Sequence, residues 1–203
     1  MPVTPDPSDA VDYSGLAWGV GLVVLAAVAG LIAHAAIMGI ARRLAKRFGG
    51  RTAQSLVERA AAPMRVLMPI IAMQFVLPAL GLPARAAPVA RQGIAIAIVA
   101  GITWLLVALL RAADDAVAIR FPVDVPDNRR ARRVHTLVRI MRQTATVIVV
   151  TIGAAVALMT FPQARELGAS VLASAGIAGI VVGMAARPAL ANLIAGLQIA
   201  PTE

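Results

Sequence analysis

The chain has 203 residues, of which 60% are hydrophobic and only 14% are charged, and its formal net charge is +9. Its mean hydropathy is +0.83, and soluble domains carry roughly 25% charged residues. Because a soluble core could not hide this much apolar surface, the composition excludes an ordinary soluble domain. The chain has no cysteine, which excludes disulfides and thiolate metal sites.

The apolar residues fall into blocks. Windows without Asp, Glu, Lys or Arg cover residues 15–41, 66–84, 92–110, 143–164 and 167–186. Each has the roughly 20 residues that a helix needs to cross about 30 Å of hydrocarbon. The first window follows three acids and no basic residue, so it lacks the basic region of a cleaved signal peptide. We therefore predict an all-α membrane protein with about five transmembrane helices.

The basic residues alternate between connections. One group lies between the first two windows: Arg42, Arg43, Lys46, Arg47, Arg51 and Arg59. Another lies between the third and fourth: Arg111, Arg120, Arg129, Arg130, Arg132, Arg133, Arg139 and Arg142. The second and fourth connections hold only Arg85, Arg91 and Arg165. The positive-inside rule then predicts an outside N-terminus and a cytoplasmic C-terminus, in a bacterial inner membrane. Topology and anionic headgroups account for the positive charge, and no nucleic-acid partner is expected.

Three segments follow from this topology. Residues 1–14 are predicted to form an extracytoplasmic tail. Residues 15–164 are predicted to form a four-helix membrane-spanning region with basic cytoplasmic loops at 42–63 and 111–142, and residues 121–128 to form a turn within the second loop. Residues 167–203 hold the fifth span. Pro69 and Pro78 predict a kink in the second span, and Gly15 and Gly19 have the spacing of a helix-packing motif.

The titratable residues do not indicate catalysis. The histidines are His34, near the inner end of the first span, and His135 in a basic loop, and no acid lies inside any window. His34 is more typical of helix packing or the membrane interface than of a metal or proton site. Gln74 is expected to hydrogen-bond to a neighbouring helix, and Arg65 to reach the headgroups. We expect neither an enzyme nor a bound cofactor or metal.

The fifth span has two different flanks. On a helix with about 100° per residue, Gly176, Gly179 and Gly183 lie within about 60° of one another and form a groove. Ile177 and Val181 project from a flank roughly 100° or more away, and Ile180 and Met184 lie between the two flanks.

A groove on one flank and bulky residues on the other suit a ring of identical helices, in which each helix offers different surfaces to its two neighbours. Ile180 and Met184 would then face the ring axis and form an apolar constriction that excludes water and ions. A glycine-rich helix packed inside an ordinary bundle explains the same pattern equally well.

A proline interrupts the pattern after the fifth window. Pro188 follows Arg187, has no amide hydrogen, and should kink or break the helix. Beyond it, Leu190, Leu193, Ile194 and Leu197 share one face, which predicts an amphipathic helix along the inner membrane surface. Arg187 lies near the face of the apolar residues and can either reach headgroups or line a pore.

Residues 176–196 read G-I-A-G-I-V-V-G-M-A-A-R-P-A-L-A-N-L-I-A-G. This segment resembles the pore-lining helix of the small-conductance mechanosensitive channel (MscS) family, through the spacing of Gly179, Gly183, Asn192 and Gly196 and the break between them. The resemblance covers about thirty residues. The other four spans agree with the family only in hydropathy and topology.

The resemblance implies a homoheptamer with a pore lined by this helix. By position, Ile180 and Met184 match the two gate rings and Pro188 the kink. The implied packing surfaces hold Gly176, Gly179 and Gly183 on one flank and Ile177 and Val181 on the other, and Arg187 and Asn192 fall at the pore mouth.

Three departures from the family stand beside the resemblance. Ile177 and Val181 are bulkier than the alanines usual there, and five spans exceed the minimal three. The β-rich cytoplasmic domain of the family has no counterpart before Glu203, so we expect a truncated member.

The implied function is a tension-gated passive pore for ions and small solutes that protects cells from osmotic downshock. The main alternative is a multi-span transporter, or a transporter subunit, with the fifth helix packed inside a monomer, and a membrane scaffold without transport is a third possibility. Coupled transporters usually keep ionisable residues near mid-membrane, and His34 is the one candidate inside the windows.

Overall fold

The computed structural model of the chain describes residues 13–120 and 129–199, and within these ranges it contains long α-helices and no strand. The helices are α1 (Tyr13–Leu44), α2 (Gly50–Val76), α3 (Ala86–Arg120), α4 (Arg129–Met159) and α5 (Arg165–Ile199). The predicted all-α class is confirmed. Most of the predicted N-terminal tail, the turn at 121–128 and residues 200–203 lie outside the described residues.

Five stretches are long and apolar enough to cross a membrane. They are Trp18–Arg47, Thr52–Leu80, Ala86–Asp115, His135–Met159 and Pro162–Gly196. Little of each stretch is buried inside the chain, from 17% in the second to none in the fifth. Helices whose apolar surface remains outside the fold need lipid or another chain around them. The chain is therefore a multi-pass membrane protein.

The connection between α1 and α2 is much shorter than the predicted loop at 42–63. A π-helical turn, Ala45–Gly49, continues from α1, and α2 begins at once at Gly50. Gly50 has φ 59° and ψ −162°, a backbone conformation that residues with a Cβ rarely adopt. The basic residues predicted in a loop thus lie on helical backbone at the ends of two spans.

Of the two prolines predicted to kink the second span, only Pro69 lies inside its α-helix. Pro63 and Pro69 lie inside α2, whereas Pro78 belongs to a 3₁₀ turn, Leu77–Leu80, that follows α2. Pro78 therefore ends the helix instead of kinking it. The turn continues to Gly81 in the left-handed conformation, and the amides of Ala86 and Ala87 then donate to the carbonyl of Pro83 at 2.8 and 3.0 Å.

The chain divides into two compact units, Met1–Gly153 and Ala154–Glu203. In the first unit α2 packs against both α1 and α3. Its buried apolar side chains are mostly small: Ala26, Met38, Ala45, Leu67, Leu77, Ala108 and Ala112. Small residues let helices in a membrane approach closely and gain dispersion contacts.

The closest approach of one helix backbone to a glycine of another in the first unit is that of Pro69 to Gly30. A Cβ added to Gly30 would lie 2.5 Å from Pro69 Cα and 2.8 Å from the carbonyl oxygen of Met68. At Gly19, by contrast, an added Cβ would reach only Leu80 Cδ2, at 3.9 Å. A close crossing of α1 is thus at Gly30, whereas Gly19 of the predicted motif makes no such close contact.

The second unit contains the end of α4, a 3₁₀ turn (Pro162–Ala164) and α5. Gly168 packs against the end of α4, where an added Cβ would lie 2.5 Å from the Ala155 carbonyl oxygen. The helix α5 continues through Pro188 without interruption. It bends near residue 193, more than one turn beyond the predicted position.

Candidate functional site

The residues predicted to form the gate and the packing flanks lie on one uninterrupted helix. All of Gly176, Gly179, Ile180, Gly183 and Met184 precede the bend of α5 near residue 193. Helical geometry therefore holds from the first of them to the last, and the spacing of the two flanks follows from 3.6 residues per turn. The glycine flank and the Ile177/Val181 flank are separate surfaces of α5, with Ile180 and Met184 between them.

The glycine flank is open within its own unit. Among the described residues of that unit, 154–199, no atom outside the local helix lies within 4 Å of a Cβ built on Gly176, Gly179 or Gly183. Gly30 and Gly168 differ, because another helix packs directly against each of them and occupies the space that a Cβ would need. A second helix backbone can therefore approach the flank at short range.

The bulky side chains of α5 are exposed. Ile180 is 65% exposed and Met184 is 71% exposed, and Ile177 and Val181 are similar. Exposed apolar groups in a spanning helix face lipid or a partner chain. None of these four residues is used in the core of its own unit.

The residues predicted at the inner end of α5 are also exposed. Arg187, Pro188 and Asn192 lie on the helix surface before the bend. Pro188 removes one backbone hydrogen bond without ending the helix.

Two consecutive acids, missed in the sequence analysis, join α3 to its neighbours. Asp115 accepts from Arg59 of α2 in a bidentate contact, with Nε–Oδ2 at 2.8 Å and Nη2–Oδ1 at 3.0 Å. Asp114 forms an ion pair with Nε of Arg142 of α4, without the alignment of a hydrogen bond. The side chains are between 28% and 45% exposed, so each pair is partly solvated. These carboxylates connect three spanning helices at one end.

A signal for this cluster was present in the sequence. Asp114 and Asp115 are adjacent acids shortly after the uncharged window 92–110, in a connection otherwise rich in arginine. Acids at such a position need basic partners. The partners themselves, Arg59 and Arg142, could be identified only from the way the helices pack.

Besides Nε of Arg142, two side-chain atoms of the first unit are buried without a hydrogen bond in the described part of the chain. They are Nδ1 of His34 and Oε1 of Gln74. The predicted helix-to-helix hydrogen bond of Gln74 is not formed through this oxygen. The described ranges contain no group of three or more His, Asp or Glu residues placed to hold a metal ion.

Comparison with known proteins adds no relative: no family model, no curated protein and no solved structure matches the chain. The class is therefore defined by the fold alone, a multi-pass membrane protein of five long apolar helices.

Proposed function

We propose that the chain is a subunit of a tension-gated passive pore for ions and small solutes, in which α5 lines the pore. The observation that supports this proposal is the surface of α5. The helix is long enough to span the bilayer, its apolar side chains are exposed, and its glycine flank is open for a second helix.

A ring of identical subunits uses both flanks of α5 at once. The glycine groove of one helix receives Ile177 and Val181 of the next, which is a heterologous interface that closes into a ring. The resemblance to the small-conductance mechanosensitive channel family favours a heptamer. Three glycines without Cβ atoms leave room on that flank for the side chains of Ile177 and Val181 of a neighbour.

Ile180 and Met184 form the gate of this pore. When neighbouring helices cover both flanks, the side chains of these two residues face the ring axis. Two stacked apolar rings prevent water, and with it ions, from entering a narrow passage. Arg187 and Asn192 lie one to three turns further along α5, at the mouth of the pore.

Tension opens the gate if the open ring occupies more area in the bilayer plane. The work done by tension then favours the wider state, and the population shifts toward it. This would protect a bacterial cell from osmotic downshock, with the N-terminus outside and the C-terminus in the cytoplasm.

Two measurements on the purified full chain test the proposal. Native mass spectrometry in detergent should give a single homo-oligomer, and suction on patches of reconstituted liposomes should give discrete conductance steps whose probability rises with tension. A monomeric mass, together with saturable solute uptake that does not depend on tension, would instead establish the transporter alternative.

A further inference from the structure

A small cavity lies where α1 turns into α2. Its volume is about 160 Å³, which corresponds to roughly five water molecules at about 30 Å³ each. Six residues line it: Arg42, Ala45, Lys46, Gln54, Val57 and Glu58. None of them was assigned a ligand-binding role by the sequence.

Each of the two walls of the cavity carries a pair of polar residues spaced four apart. Arg42 and Lys46 are four residues apart along α1 and its π-helical turn, and Gln54 and Glu58 are four residues apart on α2. Residues with this spacing share a helix face, so each wall presents two polar groups one turn apart. Ala45, which is 5% exposed, supplies an apolar floor. The π-helical turn brings the two walls together, and such turns are frequent at functional sites.

The charges in the cavity are not neutralised by one another. In the part of the chain that the structure describes, neither Arg42 nor Lys46 forms an ion pair, and Glu58 has no ion-pair partner. Two cations and one carboxylate that face the same small space without pairing suit a ligand that carries both charges, with the anion bound by the cations and an ammonium by the carboxylate.

The position of the cavity along the spanning helices indicates which ligand it binds. The cavity lies at the junction of the stretches Trp18–Arg47 and Thr52–Leu80, where both helices leave the apolar layer. Ile37, Ile40 and Leu44, toward the same end of α1, are exposed apolar side chains. Polar groups at the end of a span beside an apolar surface meet the headgroup and the acyl chains of a phospholipid.

We propose that this cavity is a binding site for the headgroup of an ethanolamine phospholipid. Arg42 and Lys46 bind the phosphodiester, and Glu58 and the amide oxygen of Gln54 accept hydrogen bonds from the ammonium. The acyl chains lie along the exposed residues of α1. This site does not depend on α5 and stands whether or not the protein is a channel.

The site is tested by native mass spectrometry of the full chain titrated with phosphatidylethanolamine or phosphatidylglycerol, which differ in headgroup and are used with equal acyl chain lengths. Arg42→Gln should weaken binding of the ethanolamine lipid by about fivefold, the size of one partly exposed charged contact. Arg43→Gln is the matched control, because Arg43 is the next residue, is exposed, and does not line the cavity. Equal weakening by both variants would show attraction to overall charge and overturn the proposal.

Two further arms test the identity of the ligand. Glu58→Gln should remove the preference for the ethanolamine over the glycerol lipid while both still bind, and an unchanged preference would overturn the role of the ammonium. A large excess of inorganic phosphate should leave the lipid adduct in place. Displacement by phosphate would assign the cavity to a soluble phosphate and refute a lipid site.

Discussion

Arg59 of α2 and Asp115 of α3 form a two-pronged ion pair across the helix contact, with both nitrogen–oxygen distances between 2.8 and 3.0 Å. The preceding residue, Asp114, pairs with Arg142 of α4. Two neighbouring carboxylates on α3 therefore form ion pairs with two other helices, α2 and α4. Such pairs specify which helices meet at this end, because a wrong pairing would leave a charge without a partner.

The pair contributes modestly to stability because both side chains are partly exposed, at 45% and 34%. We expect Asp115→Asn and Arg59→Gln each to lower the free energy of unfolding in mixed detergent by about 0.5–1 kcal/mol. The double variant should cost less than the sum of the two. Additive losses within about 0.3 kcal/mol would show that the residues do not interact.

Gly30 is expected to tolerate no side chain, because a Cβ there would lie 2.5 Å from the backbone of Pro69. Gly30→Ala should force α1 and α2 apart and lower the free energy of unfolding by about 1–3 kcal/mol. Gly21→Ala is the matched control on the same helix, where an added Cβ meets nothing within 4 Å. It should be neutral or stabilise the helix by about 0.5–1 kcal/mol. Equal effects of the two substitutions would contradict the close crossing.

The membrane orientation can be read with single cysteines, since the chain has none of its own. Thr52 and Arg85 are exposed and lie at opposite ends of α2 and its following turn. The basic residues near Thr52 predict a cytoplasmic position. A membrane-impermeant thiol reagent added to intact cells should therefore label Arg85→Cys and spare Thr52→Cys. The reverse pattern would invert the topology.

The gate is tested in the assembled protein. Ile180→Ser or Met184→Ser should hydrate the constriction, so that channels open at lower tension or leak at rest and slow cell growth. Val182→Ser is the matched control, because Val182 is 66% exposed on the same helix but lies well away from the arc between the two flanks. An effect of Val182→Ser equal to that of the gate variants would show a general loss of helix packing instead of a gate.

The bend of α5 should survive removal of its proline. A proline disturbs the helix at its own position and in the turn before it, whereas α5 bends near residue 193. Pro188→Ala should therefore leave the distance between spin labels at Ser174 and Gly196 unchanged. A clear lengthening of this distance would show that Pro188 causes the bend.

The sequence by itself determined that the chain is an all-α membrane protein and how many spans it has. Hydrophobic blocks of about 20 residues leave the backbone no other way to satisfy its hydrogen bonds in lipid. The positions of Ile180 and Met184 relative to the glycines of α5 were also readable, because they depend on helical periodicity and on nothing beyond one helix.

Tertiary structure alone decided which residues of different helices meet. The partner of Asp115 is 56 residues away in the chain, and no local pattern identifies Arg59 among so many arginines. Gly30 could not be distinguished from Gly19 or Gly21 until Pro69 was placed against it. The cavity between Arg42 and Glu58 forms because the short turn at Ala45–Gly49 brings α1 and α2 together. The sequence predicted a long loop there, so it did not predict the cavity. Contacts between helices depend on their rotation and register, and these follow from the packing of small residues over the whole interface.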